Sequence, residues 1–120
     1  MIQLSPSDIK EIVERHALWL RQDPRGRRAD FTLTDLTGVD LSFADLRRAK
    51  LVGASLSYAV LAATNFSEAD LFGCQLEGAD LTMADLTRTN LRGAKLRSSQ
   101  LASARLSGAD LRPGIGRAHV

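Results

Sequence analysis

Residues 69–81 read Ala69-Asp70-Leu71-Phe72-Gly73-Cys74-Gln75-Leu76-Glu77-Gly78-Ala79-Asp80-Leu81. Leucine falls at every fifth position, and the residue two before it is small each time. Working outward from this stretch, the spacing continues unbroken. From Phe31 to Leu111 every fifth residue is Leu or Phe, seventeen positions in all, and only Phe31 and Phe66 are not leucine. The position two before holds Ala eleven times and otherwise Thr34, Val39, Thr64, Cys74, Thr89 or Ser99. The position one before holds Asp eight times and Asn twice. The unit is Ala-Asp-Leu-x-x, and a repeat this regular has to be read before any local propensity.

A period of five fits neither regular element. On an α-helix each five-residue step turns the leucine by about 140°, so no apolar stripe forms. On a continuous strand an odd step sends successive leucines to opposite faces. Both conflicts vanish if the chain turns a corner in every unit. Leu and the small residue two before it then point inward, and the other three positions face water. Six glycines (Gly38, Gly53, Gly73, Gly78, Gly93 and Gly108) sit two after the lattice residue, where a tight corner calls for positive φ. Four corners close a square coil of twenty residues, and coils stack by sheet-like ladders. Seventeen units make about four and a quarter coils, a rod roughly 20 Å long at about 4.8 Å per layer.

These repeats resemble the pentapeptide repeat proteins over residues 29–113. The resemblance implies an all-β solenoid, a right-handed quadrilateral parallel β-helix of about four coils. Its implied core is Phe31, Leu36, Leu41, Leu46, Leu51, Leu56, Leu61, Phe66, Leu71, Leu76, Leu81, Leu86, Leu91, Leu96, Leu101, Leu106 and Leu111. An opening helix is similar to the caps often found ahead of such repeats. The family includes topoisomerase-protecting proteins that mimic DNA, so a DNA-mimic modulator of a type II topoisomerase such as gyrase is one implied role. The motif itself builds the solenoid and says little about biochemical role.

Ahead of the repeats, residues 1–28 form a cap and linker. Ser5-Pro6-Ser7-Asp8 supplies an N-cap serine, a proline at the first helical position and an acid three after the cap. Ile9, Ile12, Val13, His16, Trp19 and Leu20 then recur on one helical face, and Asp23-Pro24-Arg25-Gly26 stops the helix. The spacing predicts a helix over 6–22 that lays Ile12, Val13, Trp19 and Leu20 on the first coil. Its polar face mixes acids and bases, unlike the mostly basic face of a membrane anchor. Residues 114–120 form a short tail rich in Gly, with Ile115 and Val120 as candidate plugs for an open last coil. The alternative cover for that end is a second copy, giving a homodimer through the C-terminal end of the solenoid.

Of 120 residues 44% are apolar, 5% aromatic and 25% charged, with a net charge of +2. That composition suits one folded domain. One cysteine excludes an internal disulfide and a thiol-rich metal site. No apolar run approaches the roughly 20 residues of a membrane span. The first residues lack the basic start and apolar stretch of a secretory leader, so the expected compartment is the cytoplasm. No catalytic, cofactor or metal site is expected. His16 lies on the cap's apolar face and His119 in the tail, far apart in sequence. Cys74 takes an inward small position, where a thiol is structural rather than nucleophilic. The glycines follow the five-residue lattice instead of a phosphate loop.

Function then falls on the outward positions. Val52 and Phe72, with Leu33 near their lower corner, are expected to pack under the cap helix or the Arg25–Arg28 loop. Phe43, Tyr58, Val60 and Met83 have no internal partner, and they form a candidate surface for an unknown protein partner. The net charge hides a polarity: +2 over residues 1–29, −6 over 30–85 and +6 over 86–120. Arg88, Arg92, Lys95, Arg97, Arg105 and Arg112 make a candidate basic end. Nucleic acid is disfavoured as a ligand because these residues point from different faces with no interleaved aromatics to stack bases. The expectation is a non-catalytic interaction or scaffold module.

Overall fold

Every five-residue unit closes on a turn. From Phe31 to Leu106 the amide three after each lattice residue donates to that residue's carbonyl, as in Thr34 N to Phe31 O and Ala49 N to Leu46 O, both 3.1 Å. The residue two after the lattice position has positive φ in all sixteen units from Leu33 to Gly108. Positive φ at the third turn residue is the mark of a type II turn. Only six of these residues are glycine; the rest include Leu33, Phe43, Tyr58 and Met83. A left-handed non-glycine residue costs about 1–2 kcal/mol, so the surrounding ladder must hold the corners in place.

The computed structural model describes residues 1–114. Thirteen parallel bridges join residues twenty apart, from Asp30–Lys50 to Asn90–Asp110. Four units therefore make one coil, and we number the coils 31–50, 51–70, 71–90 and 91–110. The four sides of coil 1 are centred on Phe31, Leu36, Leu41 and Leu46. Each pairing is a single bridged residue, because corners interrupt the ladder before a continuous strand can form. The bridging position is the Asp slot of the repeat, and no bridge joins Asp to Asp. Lys50 lies between Asp30 and Asp70, Asn65 between Asp45 and Asp85, and Asn90 between Asp70 and Asp110. Carboxylates stacked about 4.8 Å apart would repel, and the sequence alternates them away.

All lattice residues from Phe31 to Leu91 are buried. Leu96 and Leu101 are only partly buried, and Leu106 and Leu111 are 36% and 43% exposed. The expectation of a core running to Leu111 is corrected here. Among the described residues only 111–114 extend over coil 4, above its first side, where Leu91 is buried; Leu96, Leu101 and Leu106 have one covered face instead of two. Ile115, Val120 and His119 lie outside the described residues.

The small inward column carries a second device. Thr64, Cys74 and Thr89 each donate to the carbonyl of a lattice residue in the coil below, Leu41, Leu51 and Phe66, all at 2.8 Å. A hydroxyl or thiol is tolerated in this core because that carbonyl is in reach. Thr34, with no coil beneath it, turns instead to Thr32 O at 3.3 Å.

At the N-terminal end stands α1 (Pro6–Leu20). Its capping box is complete: Ser5 Oγ accepts from Asp8 N at 3.1 Å and Ser5 N donates to Asp8 Oδ2 at 3.3 Å. The helix stops two residues before the predicted end. Gln22 N donates to Trp19 O and Asp23 N to Leu18 O, both 3.0 Å, with Gln22 at φ 61°. This is a Schellman ending with Gln22 in the position glycine usually takes. Before the helix, Ile2 adds a short bridge to Thr34, so the first coil's edge is partly paired from below.

Candidate interaction surface

The outward positions are fixed by the turns. At all ten Asp or Asn positions of the bridging slot, Oδ1 accepts the backbone N–H two residues on, from Asp30 to Thr32 at 3.0 Å through Asp110 to Arg112 at 3.1 Å. That amide points away from the ladder and would otherwise look only to water. Asp40 also takes the Ser42 hydroxyl at 2.6 Å. Side-chain hydrogen bonding from Thr32, Thr37, Ser42, Thr82 and Thr87, with the backbone amides adding to it, holds the Asp30, Asp35, Asp40, Asp80 and Asp85 carboxyls below the usual carboxylate range. The Arg112 guanidinium brings Asp110 down to about 2. The consensus aspartates are thus committed to the fold.

The corner side chains lean over the next coil. A Cβ on Gly78 would sit 2.5 Å from the Tyr58 ring, and one on Gly53 would sit 2.8 Å from Leu33 Cδ2. Gly108 makes the same room above Arg88, at 3.1 Å. Each large apolar corner residue is therefore matched twenty residues later by a small one, whereas on the fourth side Arg48, Glu68 and Arg88 follow one another. Phe43 is followed by Ala63, and Met83 by Ser103.

The four sides differ in charge. On the third side the two outward columns read Ser42, Ala62, Thr82, Ala102 and Phe43, Ala63, Met83, Ser103, with no ionisable group. Each other side carries Arg, Lys or Glu in those columns. Phe43, Tyr58, Val60 and Met83 are 77%, 69%, 38% and 56% exposed. Tyr58 and Val60 flank the corner leading into the third side. Between this side and α1 runs a groove of about 610 Å³, lined by Ile9, Val13, Val39, Leu41 and Phe43 with Lys10, Glu14 and Asp40 at its margins.

The cap helix lies over the third and fourth sides of coil 1, not the first. His16 contacts Arg47 O, and Arg28 Nε donates to Arg48 O at 2.6 Å. Phe72 is accordingly not under the cap. The Arg92 guanidinium covers its ring instead, 5.5 Å from the centroid, and Leu33 stays exposed over Gly53. Ile12, Val13, Trp19 and Leu20 are half-buried, while the wholly enclosed cap residues are Ile9 and His16. Trp19 stacks on His16 at 5.3 Å and receives the guanidinium of Arg48 at 4.8 Å and of Arg28 at 5.7 Å. Sequence spacing had no means of pairing Trp19 with arginines nine and twenty-nine residues away.

The basic residues do not converge. Arg92 and Arg112 lie on the first side, Arg97 on the second and Arg88 on the fourth. Lys95 and Arg105 occupy bridging slots above Gln75 and Asp85. Arg112 is held by Asp110 at 2.9 and 2.7 Å. Cys74 is buried, and desolvation pushes its thiol up to about 12. Among the described residues no three His, Cys, Asp or Glu side chains gather as a metal site. No helix of the described residues is long and apolar enough to cross a membrane.

The model of the pentapeptide repeats matches this chain with eight copies over residues 27–51, 49–88 and 74–112. No curated protein matches it. Among solved structures, it is similar to HetL from the cyanobacterium Nostoc, a pentapeptide repeat protein involved in heterocyst differentiation regulation. The identity is 43%, covering 71% of this chain and 39% of HetL, with a TM-score of 0.69. A pentapeptide repeat protein of the Arabidopsis thaliana thylakoid lumen is 34% identical over 61% of this chain and 50% of its own, with a TM-score of 0.60. QnrB1, a plasmid-mediated fluoroquinolone resistance protein, is 23% identical over 71% of this chain and 44% of its own, with a TM-score of 0.54. At that identity the likeness concerns the fold alone. The chain spans less than two thirds of the length of each.

Proposed function

The chain belongs to the pentapeptide repeat family, and from that premise we propose that it is a non-catalytic interaction module presenting its third side to a protein partner. The right-handed sense of the coil is carried over from the family. The observation that carries the reading is the third side itself, two outward columns without a charge and four exposed apolar side chains on or beside it. Apolar side chains gathered on one side of a small protein are the usual mark of a contact surface. The similarity to HetL, a protein involved in regulation, supports a binding role over a chemical one. The test is recovery of bound protein by the immobilised wild-type chain, a Tyr58→Asp/Val60→Asp variant and an Arg92→Glu control. A protein retained by wild type and control but lost by the double variant is expected. Equal recovery by all three would sink the proposal.

DNA mimicry toward a topoisomerase is the runner-up, favoured by the −6 net charge of residues 30–85. Magnitude weighs against it. About 20 Å of duplex carries roughly 12 phosphate charges. The acidic stretch here reaches half of that, and the +6 of residues 86–120 is the wrong sign for a duplex surrogate. Direct nucleic-acid binding is weakened by the dispersal of the six basic residues over several sides. A homodimer through coil 4 remains part of the proposal, supported by the exposure of Leu106 and Leu111. A solution mass of one chain, 13.0 kDa, would remove it.

A further inference from the structure

His16 is the one titratable side chain of the cap enclosed by the fold, and neither the repeat nor the proposed surface uses it. It is wholly buried. Its two ring nitrogens meet backbone groups of opposite character. Ala29 N lies 2.9 Å from Nδ1, and an amide can only donate. Arg47 O lies 2.7 Å from Nε2, and a carbonyl can only accept. The ring is therefore neutral, with its proton on Nε2. Ala29 is the first inward residue of the repeats, and Arg47 lies on the fourth side of coil 1. One imidazole thus ties α1 both to the entry of the solenoid and to its first coil.

The surroundings offer no place for a second proton. It would have to go on Nδ1, where the Ala29 N–H already points. Arg28 and Arg48 stand nearby on the Trp19 ring, and both oppose a positive imidazole. Asp45 is the carboxylate facing the ring, and Arg47 already engages it at 2.8 and 2.7 Å. The linker has no slack to adjust. A Cβ on Gly26 would sit 2.2 Å from Trp19 N, and Arg27 N donates to Arg15 O at 3.0 Å.

The geometry points to a pH-operated latch: protonation of His16 at Nδ1 breaks the Ala29 contact and releases α1 from coil 1. The proton comes from solvent and forms an N–H bond at Nδ1; no bond between heavy atoms forms or breaks. Release would open the groove beside Leu41 and Phe43 on the third side. The sign follows from burial, which holds His16 below its ordinary 6.5 despite the Arg47 bond. Folded-state affinity for the proton is lower than that of the released cap, so docking is fully favoured above pH 6.5. It is lost as pH falls below that value.

Trp19 is the sole tryptophan and stacks on His16, so its emission reports docking. Wild type, His16→Gln and His119→Gln are titrated from about pH 8 to about pH 5, above the carboxylate range. A glutamine can offer the same donor and acceptor without titrating. The expected result is a reversible red shift of Trp19 emission below pH 6.5 in wild type and in H119Q, absent in H16Q. A shift of equal size in H16Q overturns the latch, as does unchanged emission in wild type. Should H16Q fail to fold, NMR of the wild-type imidazole decides. A His16 ring that gains its proton together with the Trp19 shift supports the latch, and one that gains it while Trp19 stays docked overturns it.

Discussion

Tyr58 and Gly78 behave as one unit although twenty residues separate them. The tyrosine ring lies over Gly78, 2.5 Å from where a Cβ would be, so a side chain there would have to displace it. Gly73 has nearly the same φ, +67° against +69°, with nothing within 4 Å of its missing Cβ. Gly73→Ala should therefore cost only the left-handed backbone penalty, about 1 kcal/mol. Gly78→Ala should cost more, by about 1 kcal/mol, because the ring must also move. Thermal or denaturant unfolding of both variants gives the difference, and equal costs would contradict the account. The six corner glycines were legible in the sequence as corner residues. Their second use was not, because it shows only when residues twenty apart are aligned as neighbours. Ten corners without glycine likewise had no local signal, since the ladder rather than the residue type imposes their conformation.

At the scale of the ladder, the aspartates stabilise turns and endanger stacking. Asn90 shows how the two demands are met. Its Oδ1 accepts from Arg92 N at 3.1 Å, as an aspartate would, while its Nδ2 donates to Asp70 Oδ1 at 3.2 Å. Asn90→Asp keeps the turn acceptor, loses the donor and puts three carboxylates in consecutive coils. The melting temperature of N90D should fall below wild type at low salt. It should recover most of that loss near 1 M salt, where screening extends only about 3 Å. A deficit independent of salt would show that the lost donor, not repulsion, is responsible. The consensus Asp was legible in the sequence as part of the repeat unit. The cap helix was readable too, from Ser5, Pro6 and Asp8 and from one apolar face. Where that helix docks was not, since the Ala29 and Arg47 groups that hold His16 are set by the coil and not by the helix.

Over the whole molecule, a sequence period of five becomes a spatial period of twenty, and function has to be sought on sides. The core positions through Leu91 follow directly from the lattice. Those after it do not, because burial of a lattice leucine needs a coil above as well as below. The charge polarity along the chain was visible as −6 followed by +6. The absence of charge from the two outer columns of the third side was not singled out, since those columns are interleaved with others in the chain. Placing the partner on that side is the central claim, and photo-crosslinking tests it by position. A photoreactive phenylalanine analogue replaces Phe43, Met83 or Phe72 in turn, and each chain is irradiated with its recovered partner. The account predicts crosslinks from positions 43 and 83 on the third side and none from position 72 on the first. Crosslinks from position 72 with none from 43 or 83 would contradict it.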